Sequence, residues 1–174
     1  MKIFMLIASL VMAPLYSTPL WANQETTPAS EQDVLQLDWL DLIPEQERNL
    51  FDQQGMPMPD HNGNEPAKQQ HIGSVRSELN GSRVKIPGFV IPLEGDDKKV
   101  TEFLLVPYFG ACIHVPPPPP NQIIYVKFPK GAPVQELWDV IYVIGELKTE
   151  SLSHELAETA YTILGTEIAE YDDM

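Results

Sequence analysis

Apolar residues from Ile72 onward fall in short runs separated by turn residues, the pattern of an all-β barrel or sandwich. In Arg83-Val-Lys-Ile-Pro-Gly-Phe-Val-Ile-Pro-Leu93, Val84 and Ile86 share one face at period two, while Phe89, Ile91 and Leu93 take the opposite parity. The alternation slips at Pro87-Gly88, which predicts a bulge or bend. A strand bent there lets a small sheet curl back on itself. Further strands are predicted over Glu102–Val106, Ile123–Phe128, Leu137–Leu147 with Gly145 near its end, and Tyr161–Tyr171 with an interruption at Gly165. Between the last two, Ser151-Leu-Ser-His-Glu-Leu-Ala-Glu158 reads as one or two helical turns capped by Ser151 or Ser153.

The N-terminal third follows other patterns. Met1 to Ala22 has a basic start at Lys2, an apolar run Ile3–Ala13 and a small residue at Ala22 before polar Asn23, the layout of a secretory signal. The run is shorter than the ~20 residues that span a bilayer. Asn23 to Gln32 reads as a flexible leader. Val34 to Ile43 is rich in aliphatics around Trp39 and fits a short helix as well as an extended segment; either way the indole should dock on the main body. Glu45 to Phe51 fits a helical turn. Gln53 to Gln70, rich in Pro, Gly, Asn and Gln, reads as a linker or long surface loop. The expected division is a signal at 1–22, a leader at 23–71 holding a docking segment (34–51) and the polar linker, and a barrel domain at 72–174. The expected fold is mainly β: a small closed Greek-key barrel similar to the oligonucleotide/oligosaccharide-binding fold, with short helical turns and an extended N-terminal segment. A β-sandwich is the alternative.

Composition narrows the function. Of 174 residues, 25 are acidic and 11 basic, a net charge of −14 that repels phosphate backbones and anionic lipid. Removing the first 22 residues leaves about 150, enough for one core without disulfides. The single cysteine, Cys112, excludes an intramolecular disulfide framework and a four-cysteine metal site. The expected address is the periplasm, with no integral membrane segment once the signal is cleaved.

The stretch with chemistry is Glu102-Phe-Leu-Leu-Val-Pro-Tyr-Phe-Gly-Ala-Cys-Ile-His-Val-Pro-Pro-Pro-Pro-Pro-Asn-Gln122. Pro107 ends a buried strand. In extended chain Cys112 and His114 point to the same side, and Pro116 biases the preceding residues toward extended geometry. The prolines form a stiff polyproline II rod behind them. Several readings stay open. Cys112 and His114 are two ligands of a zinc or copper site, with His154 as a third or a carboxylate brought by folding. Alternatively His114 activates the Cys112 thiol as a nucleophile, in a thiol-dependent enzyme. The thiol can also pair with another chain. Lastly, Cys112 is a small buried hydrophobe and His114 a hydrogen-bonded wall residue.

The remaining candidates are weaker. His61 and His71, near Met56 and Met58, fit a solvated loop better than a copper site, and His154 is most simply a surface residue. Asp96-Asp97, Glu155/Glu158 and Asp172-Asp173 read as solvated charge. Serine-hydrolase, zincin, phosphate-loop and dinucleotide signatures are absent, so an enzyme is unsupported. A non-metal binding module for a peptide, glycan or protein partner would use Tyr108, Phe109, Pro118, Asn121 and Gln122 beside the proline rod.

The run from Phe103 to Gln122 resembles the hallmark of an uncharacterised bacterial family of exported proteins, a domain of unknown function. Trp39-Leu-Asp-Leu-Ile-Pro44, Ile86–Leu93 and Ala160-Tyr161 are similar as well, so the resemblance spans Trp39 to Tyr171. Glu158-Thr159 departs from it where a glycine is expected before the tyrosine. The resemblance implies no established activity; an association of relatives with zinc-uptake gene clusters makes zinc the first metal to test and copper the second. The leading expectation is a non-enzymatic, exported accessory protein that handles metal through Cys112 and His114.

Overall fold

The structure is a computed structural model that describes residues 34–54, 69, 73–111, 117–133, 137 and 139–172, with only the backbone for 50–54. The expected signal and leader, most of the linker with His61 and His71, and the Cys112–Pro116 segment lie outside the described residues. In order, the elements are β1 (Leu35–Gln36), a 3-10 turn (Trp39–Leu42), α1 (Glu45–Gln54), a 3-10 turn (Ser77–Leu79), β2 (Arg83–Gly95) and β3 (Lys99–Val106). There follow a 3-10 turn (Pro120–Gln122), β4 (Ile124–Pro133), β5 (Ile141–Lys148), the short β6 (Leu152–Ser153) and β7 (Glu158–Thr159), and β8 (Tyr161–Glu170).

Strand β2 explains the architecture. Its first half pairs antiparallel with β5, from Arg83↔Glu146 to Gly88↔Ile141. Its second half pairs with β3, beginning at Phe89↔Val106. One strand therefore belongs to two sides of the molecule, and the changeover falls at Gly88. A Cβ there would lie 2.8 Å from Leu105 Cγ and 2.9 Å from the Val106 carbonyl oxygen, so only glycine permits this approach. Strand β3 pairs with β4, β4 runs parallel to β8, β8 pairs with β5, and β5 returns to β2. The ring closes as a five-stranded barrel, in keeping with the expected small closed Greek-key architecture. Strand β1 adds in parallel outside it, with Leu35 opposite Val84.

Two expectations need correction. The slip at Pro87-Gly88 is no bulge: Val84, Ile86 and Val90 keep one parity and pack on the barrel interior, whereas Phe89, Ile91 and Leu93 join a second cluster outside. Over Phe89–Ile91 the strand packs on both faces, so both parities are apolar there, whereas Pro92 and Glu94 are exposed and the register irregularities fall around Glu94. Residues Ser151–Glu158 are not helical. They form a hairpin, with Leu152 opposite Thr159 and Ser153 opposite Glu158. So short a stretch does not offset the cost of a helical nucleus, and the hairpin instead lays Leu152 and Ala157 onto the outer cluster.

Inside the barrel, Val84, Ile86, Phe103, Leu105, Ile124, Val126, Val143, Leu147, Tyr161 and Ile163 are fully buried. The N-terminal segment closes on this core with Leu37 and Leu42, and Ile43 is buried as well. Trp39 donates its indole N–H to the Pro87 carbonyl at 2.8 Å, and the Leu37 N–H reaches the Lys85 carbonyl at 2.9 Å. Among the described residues no helix is long and apolar enough to cross a membrane.

Candidate functional site

Alternation along three neighbouring strands builds an apolar face on the outside of the barrel. Phe89, Ile91 and Leu93 come from β2, Leu104 and Val106 from β3, and Tyr125 from β4, with Ile123 just before it. In barrels of the oligonucleotide/oligosaccharide-binding type, this is the side that receives ligands. Here the chain itself covers most of it. Ala111, Leu152 and Ala157 pack against the face, and Leu104, Val106 and Ile123 are fully buried.

Gln69 fastens this cover. Its side-chain amide donates to the Pro118 carbonyl at 2.9 Å and the Glu158 carbonyl at 2.8 Å, and its oxygen accepts the Glu158 N–H at 2.7 Å. A single amide thus joins the proline segment to β7. The carbonyl of Pro119 accepts the Gln122 N–H and that of Pro120 accepts the Ala160 N–H, both at 2.8 Å. With Pro118 buried and these three proline carbonyls occupied, this part of the run is a stitched connection. Pro119, at φ −55° and ψ 153°, has the polyproline II conformation expected of it.

At the end of β3 the face opens. Pro107 ends the strand, Gly110 turns the chain with φ +80°, and the Ala111 N–H closes the turn on the Tyr108 carbonyl at 3.5 Å. The turn projects two rings. Phe109 is 78% exposed and Tyr108 42%. Phe109 meets Phe89 edge to face, with ring centroids 6.0 Å apart and planes at 71°. Phe89 and Phe109, with exposed Tyr108 next in the chain, make an aromatic ledge at the margin of the covered face.

Toward the other end of the face, the phenol of Tyr125 donates to the Glu102 carboxylate. Burial, and then that carboxylate, push the phenol up to about 12. In the β2–β3 turn, Asp96 accepts the N–H groups of Lys98 and Lys99, both at 2.8 Å, which hold its carboxyl below the ordinary aspartate value. It is a turn-closing group rather than merely solvated charge.

The residues singled out from sequence separate into three groups. Cys112 and His114 lie outside the described residues. His154 sits in the β6–β7 loop, where its Nδ1 accepts the Leu156 N–H at 3.3 Å; a metal at Nε2 would require moving the ring proton onto Nδ1 and breaking that bond. Among the described residues, no group of three or more His, Cys, Asp or Glu side chains is placed to hold a metal ion. Tyr108 and Phe109 stand together on the ledge. Asn121, in contrast, is buried and donates to the Ser74 carbonyl at 3.1 Å, while the Gln122 amide donates to the carbonyls of Trp39 and Asn121, each at 2.9 Å. Sequence reasoning missed Phe89 as a ledge residue, although its outward parity was readable. Gln69 gave no signal, because its partners lie 49 and 89 positions away.

A closed five-stranded barrel with a self-covered outer face and an aromatic margin defines the structural class. The chain belongs to the family described as protein of unknown function (DUF3299), whose profile matches residues 39–170. It is similar to a solved structure of a DUF3299 family protein from Pseudomonas aeruginosa, with 38% identity and a TM-score of 0.67, over 81% of this chain and 98% of that one. Comparison with curated proteins finds no match.

Proposed function

We propose that this chain is an exported, periplasmic binding module that docks a polypeptide partner on the ledge of Phe89, Tyr108 and Phe109. The observation that carries the reading is Phe109, a large apolar ring held against a second ring while 78% exposed. Burying such a ring against a partner is worth roughly 1.5–3 kcal/mol, and aromatic anchors of this kind dominate protein interfaces. The net charge of −14 favours a basic partner and speeds its encounter. A glycan site would need polar side chains beside the rings to bond sugar hydroxyls. The amides that sequence offered for that task, Asn121 and Gln122, are used within the fold. Export rests on the signal-like Met1–Ala22. Zinc or copper handling would rest on Cys112 and His114, which lie outside the described residues.

An array of peptides of graded charge and apolar content, probed with the chain lacking residues 1–22, tests this reading. Extended basic peptides with apolar side chains should bind, chelator should leave binding intact, and Phe109→Ser or Tyr108→Ser should weaken it about tenfold. Binding that ignores both substitutions, or preference for a glycan array, overturns the proposal. Loss of binding on chelation would instead support the metal reading.

A further inference from the structure

The corner that leads into β2 carries the dipeptide Asn80-Gly81, and Asn80 is exposed to water. In such a pair the glycine nitrogen can attack the asparagine side chain, because glycine has no Cβ to obstruct the approach. We infer that Asn80 is a deamidation site, held inert by the folded corner and reactive when that corner opens. The inference is independent of the aromatic ledge and of any partner docked there.

The reaction consumes one water and releases one ammonia. The Gly81 nitrogen loses its proton to a base in the solvent and bonds to Asn80 Cγ. The Cγ–Nδ2 bond breaks, and Nδ2 leaves as ammonia. Water then cleaves one of the two imide bonds of the succinimide ring. Cleavage at Cγ gives aspartate, whereas cleavage at the backbone carbonyl gives isoaspartate, with the chain routed through the side chain.

The folded corner opposes every part of the first step. Asn80 has a ψ of 126°. Ring closure needs Cβ and the Gly81 nitrogen eclipsed about the Cα–C bond, at a ψ of about −120°, outside the main allowed regions for an L residue. The peptide plane must therefore swing round before the ring can form. The attacking nitrogen is also occupied, since the Gly81 N–H donates to the Leu147 carbonyl of β5 at 2.7 Å. Asn80 Oδ1 accepts the Thr149 N–H at 3.0 Å and the Thr149 hydroxyl at 3.3 Å. Those donors polarise the side-chain amide, but only a nitrogen within reach could exploit that. Below the corner, the Asn80 N–H donates to the Ser77 carbonyl at 3.2 Å, and Leu79 is buried in the core. Few bonds hold Asn80 and Gly81 in place, so the corner can open locally while the barrel stays folded. Isoaspartate adds one carbon to the chain between the Leu147 and Thr149 attachments, which makes the change a one-way record of opening.

Incubation of the full chain at mildly alkaline pH, folded and in denaturing guanidinium chloride, tests the inference when followed by peptide mass mapping and isoaspartate assay. Mapping separates Asn80 from Asn62, which also precedes glycine. Asn80 should convert readily in denaturant and at least about tenfold more slowly in the folded chain. Thr149→Val keeps the backbone donor and loses the hydroxyl. It should speed conversion of the folded chain by about 2–10-fold, with the far-ultraviolet spectrum unchanged. If Thr149→Val fails to fold, hydrogen exchange at the Gly81 amide of the parent chain takes its place, and exchange and deamidation should be slowed together by folding. A folded chain that converts as fast as the denatured one, a denatured chain that does not convert, or a folded Thr149→Val no faster than the parent overturns the inference. So does a Gly81 amide that exchanges freely in the folded parent.

Discussion

Tyr161 donates its phenolic proton to the carbonyl oxygen of Leu42 at 2.8 Å, across 119 positions of sequence. The same phenol accepts the Arg76 N–H at 2.7 Å. The ring is fully buried, so one hydroxyl ties the N-terminal segment and the Arg76 backbone to the first residue of β8. Tyr161→Phe keeps the ring and strands both groups. Urea denaturation should show a loss of about 1–3 kcal/mol. A loss under about 0.5 kcal/mol would mean that water takes over both bonds.

The same burial makes stability fall at high pH. Desolvation raises the Tyr161 phenol above its ordinary value of 10.0, and burial together with Glu102 pushes Tyr125 up to about 12. Both phenols hold their protons more tightly folded than unfolded. Their contribution is therefore complete below the unfolded value and is lost as pH rises through the folded ones. The urea midpoint should be insensitive to these groups below pH 10 and drop above it, and the drop should be shallower in Tyr161→Phe. Equal drops in both proteins would remove Tyr161 from the alkaline transition.

The barrel was legible because its strands obey period two and because Pro87-Gly88 marks the place where β2 changes partners. The cause of the parity change was not legible. Phe89, Ile91 and Leu93 look like a slipped register until Leu152, Ala157 and Ala111 are seen to cover them. The β6–β7 hairpin was misread for the same reason, as local propensity in Ser151–Glu158 yields to burial against a distant surface. At the candidate site, Tyr108 and Phe109 were readable as partner-binding candidates beside the proline run, and the turn that exposes them was not. Asn121 and Gln122 were not readable as internal braces, since their acceptors at Ser74 and Trp39 are distant in sequence.

Gly88 tests the changeover itself. An added methyl would press on the Leu105 side chain at 2.8 Å and on the Val106 carbonyl at 2.9 Å, and the second is backbone that cannot swing aside. Gly88→Ala should cost about 1–3 kcal/mol by overpacking. Gly81→Ala supplies the comparison: its added carbon meets nothing within 4 Å, so its cost would come from the φ of +80° alone. A neutral Gly88→Ala would show that β2 and β3 can separate at that point.

Gln69→Glu probes the fastening of the cover with almost no change in shape. The carboxylate can still accept the Glu158 N–H, but it cannot donate to the carbonyls of Pro118 and Glu158. It would instead place negative charge against two carbonyl oxygens. A loss of about 1–3 kcal/mol is expected. Hydrogen exchange at the Ala160 amide, which bonds the Pro120 carbonyl, should accelerate relative to amides inside the barrel. Unchanged exchange there would show that the proline segment and β7 are held together without Gln69.

The ledge and the core predict opposite outcomes for the same residue type. Phe103 is fully buried inside the barrel, and Phe103→Ala should cost about 3–5 kcal/mol through lost burial and a cavity. Phe109 is 78% exposed, and its described ring contact is the edge of Phe89. Phe109→Ser should therefore change stability by no more than about 0.5–1 kcal/mol, the scale of a surface substitution plus one aromatic pair. Chemical denaturation of the two variants beside the parent chain measures the contrast. A Phe109→Ser loss as large as that of Phe103→Ala would make the ring a structural plug, and the ledge would lose its claim to a partner.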